Sequence, residues 1–452
     1  MTTGMTIGRI AEAACALARG GASSRKLVDE ALERALDPAG EGARVFLHLD
    51  AEGARRAADA IDREFARGAR RSPIAGLPIS VKDLFDIEGQ ITMAGSPSMR
   101  FAPAAERDCP AMARLKRAGA VILGRTNLTE FAFSGIGINP HFGTPANPYE
   151  REKRRIPGGS SSGAAVSISD GMAFAAIGSD TGGSVRIPSA LCGITGFKPT
   201  RERIPLDGVF PLSSTLDSVG VLARSVACCA AVDALLAGEE PWEPVPADVR
   251  EIAAAVPRNY FLEGLEKPVA SAFERAVSAL SAAGMRMVEA DFPQAAAIAS
   301  INAKGGLSAA EAFVFHNRLG TDLAGYDPLV RERILRGGTI ADAEYIEMVR
   351  ARARLIREFE AAHAAIDVII CPTVPIVAPE IAALQRDPDE FRRANGQVLR
   401  NPSIVNFLDR CALSVPCHRS GDAPVGLMLT GRHLGDRALL EIGAAVEQVL
   451  VR

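Results

Sequence analysis

From about residue 75 onward the chain alternates short apolar runs with stretches of helical periodicity, and few folds accept that texture. Leu77–Val81 is followed by a helical stretch around Met112–Ala118 and then by the apolar run Ala120–Leu123. Such short runs suit buried strands, and the interleaved periodic segments suit helices laid over them. The alternation predicts an α/β fold, with a central mixed β-sheet covered by helices on both sides.

The flanking regions read differently. Residues 5 to about 70 read as helices, with Ile7, Ile10, Ala14 and Leu17 on one face. Ser23 or Ser24 can cap a second helix through Leu27, Ala31 and Leu32, its hydroxyl accepting from an otherwise unpaired backbone N–H. Gly238, Pro241, Pro244 and Pro246 mark a surface connection. The stretch 240–365 reads as mostly helical. Within it Tyr345, Met348, Val349, Leu355, Ile356 and Phe359 form the apolar stripe of one long helix. Strand-like runs return at Val368–Cys371, Leu413–Val415 and Val425–Thr430, and a helix over about 435–450 closes the chain. The expected layout is a single domain over 1–452. It has N-terminal helices over 1–70, a core over 71–235, the helical excursion over 240–365, and a segment over 366–452 that completes the sheet.

Composition excludes several classes of function. Apolar residues make up 48% of the 452 and charged residues 23%, and the net charge is −3. That balance gives no electrostatic reason to expect a nucleic-acid or membrane partner. None of the eight cysteines falls in C-x-x-C spacing, so neither a zinc site nor a disulfide framework is expected. Cys411, Cys417 and His418 come nearest to a metal cluster and read instead as small buried groups at strand ends. Neither metal nor cofactor is expected. Glu12 interrupts the only N-terminal apolar run, and nowhere do about eighteen apolar residues follow one another. With free thiols, the expectation is a cytoplasmic protein.

Two glycine- and serine-rich segments stand out: Ile156-Pro-Gly-Gly-Ser-Ser-Ser-Gly-Ala164 and Gly178-Ser-Asp-Thr-Gly-Gly-Ser-Val-Arg186. Glycine lets a ligand approach the backbone and permits positive φ. Successive free N–H groups can then converge on a developing negative oxygen, and serines at the loop ends become candidate nucleophiles. Either loop alone would serve equally as a tight turn feeding a helix. Together, each ending in serine, they point to chemistry.

A serine nucleophile needs a base. The six histidines sit in no recognisable setting, which turns attention to the seven lysines. Lys82 follows the apolar run Leu77–Val81 and precedes Asp83-Leu-Phe, so it falls at a buried strand end. Burial penalises the charged amine, and moving its pKa from about 10.4 to about 7.5 takes roughly 4 kcal/mol. A snorkelling lysine at a strand end is the plainer reading of the residue taken alone.

Taken together, these segments resemble the amidase signature family. Its pattern runs through a lysine in V-K-D, then P-G-G-S-S-x-G, then G-S-D-T-G-G-S-x-R. The resemblance covers about 75 to 225, including Gly193-Ile-Thr-Gly-Phe-Lys-Pro-Thr200. It resumes at Cys371–Thr373, Asn406–Pro416 and Pro424–Leu427, and leaves 240–365 uncovered as the variable part. It implies Ser184 as nucleophile, Lys82 as base, and Ser160 as the serine bridging them after a cis Gly159–Ser160 peptide. It implies an oxyanion hole from the backbone of Thr181, Gly182 and Gly183, with Ser161 supporting the network. Asp83, Asp180 and Arg186 are expected to brace the loops, and Lys198 to be structural. Ser162-Gly163-Ala164 departs from the Gly-Gly-Ser of many members without touching these positions. The implied activity is hydrolysis of a carboxylic amide C–N bond through an acyl-Ser184 intermediate, on a small-molecule amide, in a homodimer.

Competing motifs are weaker. Gly159-Ser-Ser-Ser-Gly163 also fits a G-x-S-x-G elbow with Ser161 as nucleophile, but that elbow needs a buried strand before it, and Glu150–Arg155 is too charged. Ser23-Ser-Arg-Lys26 fits S-x-x-K without its companion motifs, and helix capping explains it. No G-x-x-x-x-G-K-[ST] is present. Within the family, the glutamine-hydrolysing component of the tRNA-dependent amidotransferase, its A-type chain, uses an acidic residue seven positions before the one matching Asn406. Leu399 stands there, which favours a stand-alone amidase. The remaining alternative is a catalytically inactive amide-binding protein. Phe131, Phe133, Ile136 and Ile138 fit an apolar substrate wall or ordinary packing, and the substrate stays open.

Overall fold

The apolar runs pair into one sheet. In the computed structural model, which describes residues 9–450, the strands in chain order are β1 (Phe46–Leu49), β2 (Pro78–Lys82), β3 (Val121–Thr126) and β4 (Ala175–Asp180). They continue with β5 (Thr195–Lys198), β6 (Ser218–Ala223), β7 (Ala253–Pro257) and β8 (Arg286–Ala290). The last are β9 (Val368–Pro372), β10 (Ala412–Pro416) and β11 (Gly426–Thr430). The order across the 11-stranded sheet is β1-β3-β2-β4-β6-β5-β10-β11-β9-β7-β8. Parallel pairs (β2 with β3 and β4, β7 with β8 and β9) flank an antiparallel middle, so the sheet is mixed.

Strand β2 is buried along its whole length, with a parallel neighbour on each edge. The helices Ser24–Leu36 and Ser162–Ser169 also pack against it. A strand without a wet side is almost continuously apolar, which is why Leu77–Val81 stood out in the sequence. Ser80 and Lys82 share one face of β2 by the two-residue period. The Ser80 hydroxyl lies 2.8 Å from that of Ser167 on the covering helix, which satisfies both buried groups.

The N-terminal helices include Ile10–Ala18, which buries Ile10, Ala13 and Leu17, and Ser24–Leu36, which buries Leu27, Ala31 and Leu32. The Ser23 side chain accepts from the Lys26 backbone N–H, the capping contact that the S-x-x-K match concealed. Ile7 lies outside the described residues. Among the described residues no helix is long and apolar enough to cross a membrane.

Two regions read as helical also contribute strands. β1 pairs antiparallel with β3, and β7 and β8 extend the far edge of the sheet. Ala253-Ala-Ala-Val-Pro257 is rich in alanine, the strongest helix former, so its pairing with β9 is a tertiary choice that local propensity opposes. The long helix forms as expected over Asp342–Ala362, with Leu355 and Phe359 buried.

The segment after 366 closes the sheet. β10 pairs antiparallel with β5, Ala412 opposite Lys198, and β11 and β9 follow outward. The helix Asp436–Leu450 then packs on β10 and on the helix Val226–Ala237. Cys411 and Cys417 flank opposite ends of β10 and do not converge: Cys411 Sγ meets the Arg432 carbonyl, and Cys417 and His418 meet that of Val425.

Candidate active site

Register sets the site. The last residue of β2 is Lys82, beside β4, which runs on through Ser179 and Asp180. The Lys82 Nζ lies 2.7 Å from Ser160 Oγ and 2.9 Å from Ser179 Oγ, with the amine fully buried. Burial pushes the Lys82 pKa down to about 7, although Asp180 and Asp217 favour its charged form. At neutral pH the amine is therefore substantially free to accept a proton.

Ser160 follows a cis peptide bond, Gly159–Ser160. Before it the chain is a 3-10 turn and an isolated bridge at Arg155 rather than a core strand, so the nucleophile-elbow alternative lacks its scaffold. The Ser161 N–H donates to the Ser184 carbonyl at 3.3 Å, and its hydroxyl to the Ser179 carbonyl at 3.4 Å, tying the two loops together. A Cβ at Gly178 would lie 2.8 Å from Ser161 Oγ, so only glycine permits that approach.

The second loop is folded around Asp180. Its carboxylate accepts from the N–H of Gly183 at 2.8 Å and of Val185 at 3.1 Å, from the Arg186 guanidinium at 2.9 and 3.1 Å, and from Asn406 Nδ2 at 2.9 Å. Burial would raise this carboxyl, but the Arg186 charge and these donors hold it well below the ordinary range. Arg186 also donates to the Pro402 carbonyl and to Asn406 Oδ1. Gly183 has φ +128°, and a Cβ there would meet Pro402 Cβ and Ile187 Cδ1 at 2.6 Å, so side chain and backbone both demand glycine.

The expected oxyanion donors divide. The Gly183 N–H is already committed to Asp180, whereas those of Thr181, Gly182 and Ser184 meet no protein acceptor among the described residues. The Thr181 hydroxyl donates to Asp217 at 2.5 Å. The hydroxyl of Ser184 itself has no hydrogen-bond partner among the described residues. Asp83 is paired with Arg125, which also holds the Phe85 carbonyl, so it braces the end of β2. Lys198 Nζ is spent on the Pro199 carbonyl at 2.6 Å, a structural contact.

A cleft of about 430 Å³ opens beside this loop, lined in part by Phe133, Arg333, Leu399, Arg400 and Ser403. Leu399 and Ser403 abut Gly182, a Cβ there falling 3.4 Å from Leu399 Cδ2. Of the four residues that fitted an apolar wall, Phe133 alone lines this cleft. Phe131 stacks on Phe210 at 5.6 Å, and Ile136 and Ile138 are sealed in a packed cluster. Arg333 and Asp217 carried no sequence signal; only the fold brings them to the site.

For metals, Glu202, Asp409 and His433 gather ligand atoms within 4.8 Å of one another on a partly exposed face, away from Lys82's hydrogen-bond network. Exposed acidic groups commonly assemble so without an ion.

This arrangement accords with known proteins. The family model described as Amidase matches residues 27–440, and the chain belongs to the amidase signature family of hydrolases. It is 36% identical over 409 residues to a 2-amino-5-chloromuconic acid deaminase of Comamonas testosteroni, covering 89% of this chain and 87% of that protein. It is likewise 36% identical over 478 residues to the A-type component of the glutamyl-tRNA(Gln) amidotransferase of Roseiflexus castenholzii, covering 97% and 95%. The crystal structure of an amidase superposes with a TM-score of 0.88 at 33% identity, over 98% of this chain and 100% of the other.

Proposed function

We propose that this chain is a stand-alone amidase that cleaves a carboxylic amide through an acyl-Ser184 intermediate. The observation that carries the reading is the buried Lys82 amine, its pKa near 7, at 2.7 Å from Ser160 Oγ. Neutral Lys82 takes a proton from Ser160 as Ser160 takes one from Ser184, whose oxygen attacks the carbonyl. The free N–H groups of Thr181, Gly182 and Ser184 would hold the oxyanion, each worth about 3 kcal/mol. Ser160 returns the proton to the departing nitrogen. Water then attacks the acyl-enzyme, delivering its proton along the same route and releasing the acid. The Ser160–Ser184 link closes as substrate aligns the two hydroxyls, since catalytic hydrogen bonds tighten in the Michaelis complex.

The cleft supports an amide that also bears a carboxylate. Arg333 lies over the Phe133 ring at 4.6 Å, and its guanidinium has no hydrogen-bond or carboxylate partner among the described residues. Burial lowers its pKa to about 10, which leaves it charged at neutral pH. A planar cation held unpaired in a cleft wall suits a bidentate carboxylate. The Comamonas relative is named for an acid, which accords with this.

The amidotransferase component is the second reading, because similarity to it is as high. Glutamine would need a partner for its ammonium as well as its carboxylate. Leu399, seven positions before Asn406, lines the cleft, and the one carboxylate lining it among the described residues, Glu332, is already bonded to Arg336 and Arg392. That favours the stand-alone enzyme.

Ammonia release from neutral aliphatic and aromatic amides, monoamides of dicarboxylic acids, and glutamine tests both points. Ser184→Ala should lose at least about a thousandfold in turnover, as loss of a nucleophile does. Arg333→Met should raise KM for the monoamides by about tenfold and leave neutral amides little changed, as expected for one lost charge-assisted pair. Full activity in Ser184→Ala would refute the mechanism. Glutaminase activity that appears only on adding B- and C-type components would favour the second reading.

A further inference from the structure

Asp217 lies outside every motif, yet its buried carboxylate is saturated in two directions. One oxygen accepts from the backbone N–H groups of Leu212 and Ser213 at 2.9 and 3.0 Å, which closes the turn before β6. Among the described residues the other accepts the Thr181 hydroxyl alone, at 2.5 Å. A turn needs the first oxygen alone. The second serves the loop that carries the free N–H groups.

The turn is in its own right anchored from outside the core. Glu311, on the helix Gly306–Leu319, accepts from Ser213 Oγ at 2.6 Å, Thr215 N at 3.0 Å and Thr215 Oγ1 at 2.5 Å. Tyr345, on the long helix, donates to the same carboxylate at 2.9 Å. A continuous series of hydrogen bonds thus runs from two helices of the 240–365 stretch through Glu311, the 212–217 turn and Asp217 to Thr181.

We infer that Asp217 is a positioning residue for the amidase reaction: it holds Thr181 so that the Thr181 N–H faces the oxyanion, and Glu311 fixes the turn that holds Asp217. The inference rests on the reading of Ser184 as nucleophile. An oxyanion donor works only if it is fixed before the charge develops, because a donor that must reorient returns the gain as reorganisation. Threonine supplies two handles at one residue, with its N–H toward the substrate and its hydroxyl gripped from behind. Asp217 also faces the Lys82 site electrostatically. The charged groups around that amine are Asp180 and Asp217, Asp180 being matched by Arg186 and Lys198, and Glu311 is the further charge bearing on Asp217.

Thr181→Val removes the gripped hydroxyl at nearly constant volume, and Thr181→Ser restores it. Turnover of the best amide and labelling of Ser184 by an alkyl phosphonofluoridate would be followed in both variants and in wild type. Thr181→Val should lower kcat by about tenfold or more with KM within about twofold, the signature of an interaction made only in the transition state. Thr181→Ser should recover kcat to within about threefold of wild type, since it restores the same hydrogen bond. Asp217→Asn removes a negative charge that favours protonated Lys82, so the acidic limb of kcat/KM should move to lower pH. Wild-type kcat in Thr181→Val, or an unmoved acidic limb in a folded Asp217→Asn, would overturn the inference alone. A wild type that hydrolyses no amide and takes no label at Ser184 would overturn it together with the amidase reading.

Discussion

Lys82, as the proposed base, carries much of the site's dependence on pH. Its neutral form is the proposed base, so kcat/KM should fall as pH drops below about 7, the value to which burial lowers it. Lys82→Ala should lose most of its activity at every pH, and a neutral-pH rate equal to wild type would discard the relay. The same shift has a stability consequence. The folded pKa is about 7 against an ordinary 10.5, so between these values the unfolded chain binds more protons than the folded one. The cost of burying this group is absent above the upper value and grows as pH falls toward the lower, so the fold loses stability over that window. In Lys82→Met, urea midpoints should change less between pH 7 and pH 9 than in wild type. At this scale the sequence was most legible, because Lys82, Ser160, Ser161, Asp180, Ser184 and Arg186 all lie in or beside short ordered motifs. Asp217 and Arg333 were not legible. Their partners sit 36 residues away at Thr181 and, for Arg333, across a cleft at Phe133. No local pattern records contacts of that span.

Among the elements, the loop from β4 into the helix Arg186–Cys192 behaves as a unit nucleated on Asp180. Removing its counter-charge with Arg186→Leu would leave a buried carboxylate short of partners, and a loss of about 3–5 kcal/mol is expected in chemical denaturation. Gly183→Ala has no way to relax, since the added methyl meets Pro402 and Ile187 at a positive φ. It should destabilise by more than about 2 kcal/mol and misplace the neighbouring N–H groups, so both the melting temperature and kcat should fall. Strands were legible where apolar runs had flanking breaks, as in β2, β9 and β11. They were hidden where the residues favour helix, as in β7, or where the run is short and polar at its middle, as in Phe46-Leu-His-Leu49 of β1. In these strands pairing overrules propensity.

Across the whole molecule, the sheet is assembled from distant parts of the chain. β5 and β10, more than two hundred residues apart in sequence, meet in register at its middle. Cleavage in the connection over 238–246, which is exposed at Gly238, Glu240, Glu243, Val245 and Pro246, should therefore yield two fragments that stay associated. The nicked protein should elute as the intact one does in size-exclusion chromatography until denaturant is added, whereas fragments that separate unaided would contradict the pairing of β5 with β10 as the joint that holds the two halves of the sheet. The overall α/β layering was legible from texture alone, because a buried mixed sheet imposes its rhythm on composition. The strand order was not, since crossovers leave no local trace. The facing of β2 carries one more consequence. Ser80 and Lys82 look toward the serines while Ile79 and Val81 look away, so a slip of one residue would drive the amine into hydrocarbon and turn the isoleucine and valine toward the loops. A chain misassembled in this way would neither persist nor react. Stoichiometric labelling of Ser184 should accordingly count correctly assembled molecules, and an active-site titration of this protein would double as a census of its folding.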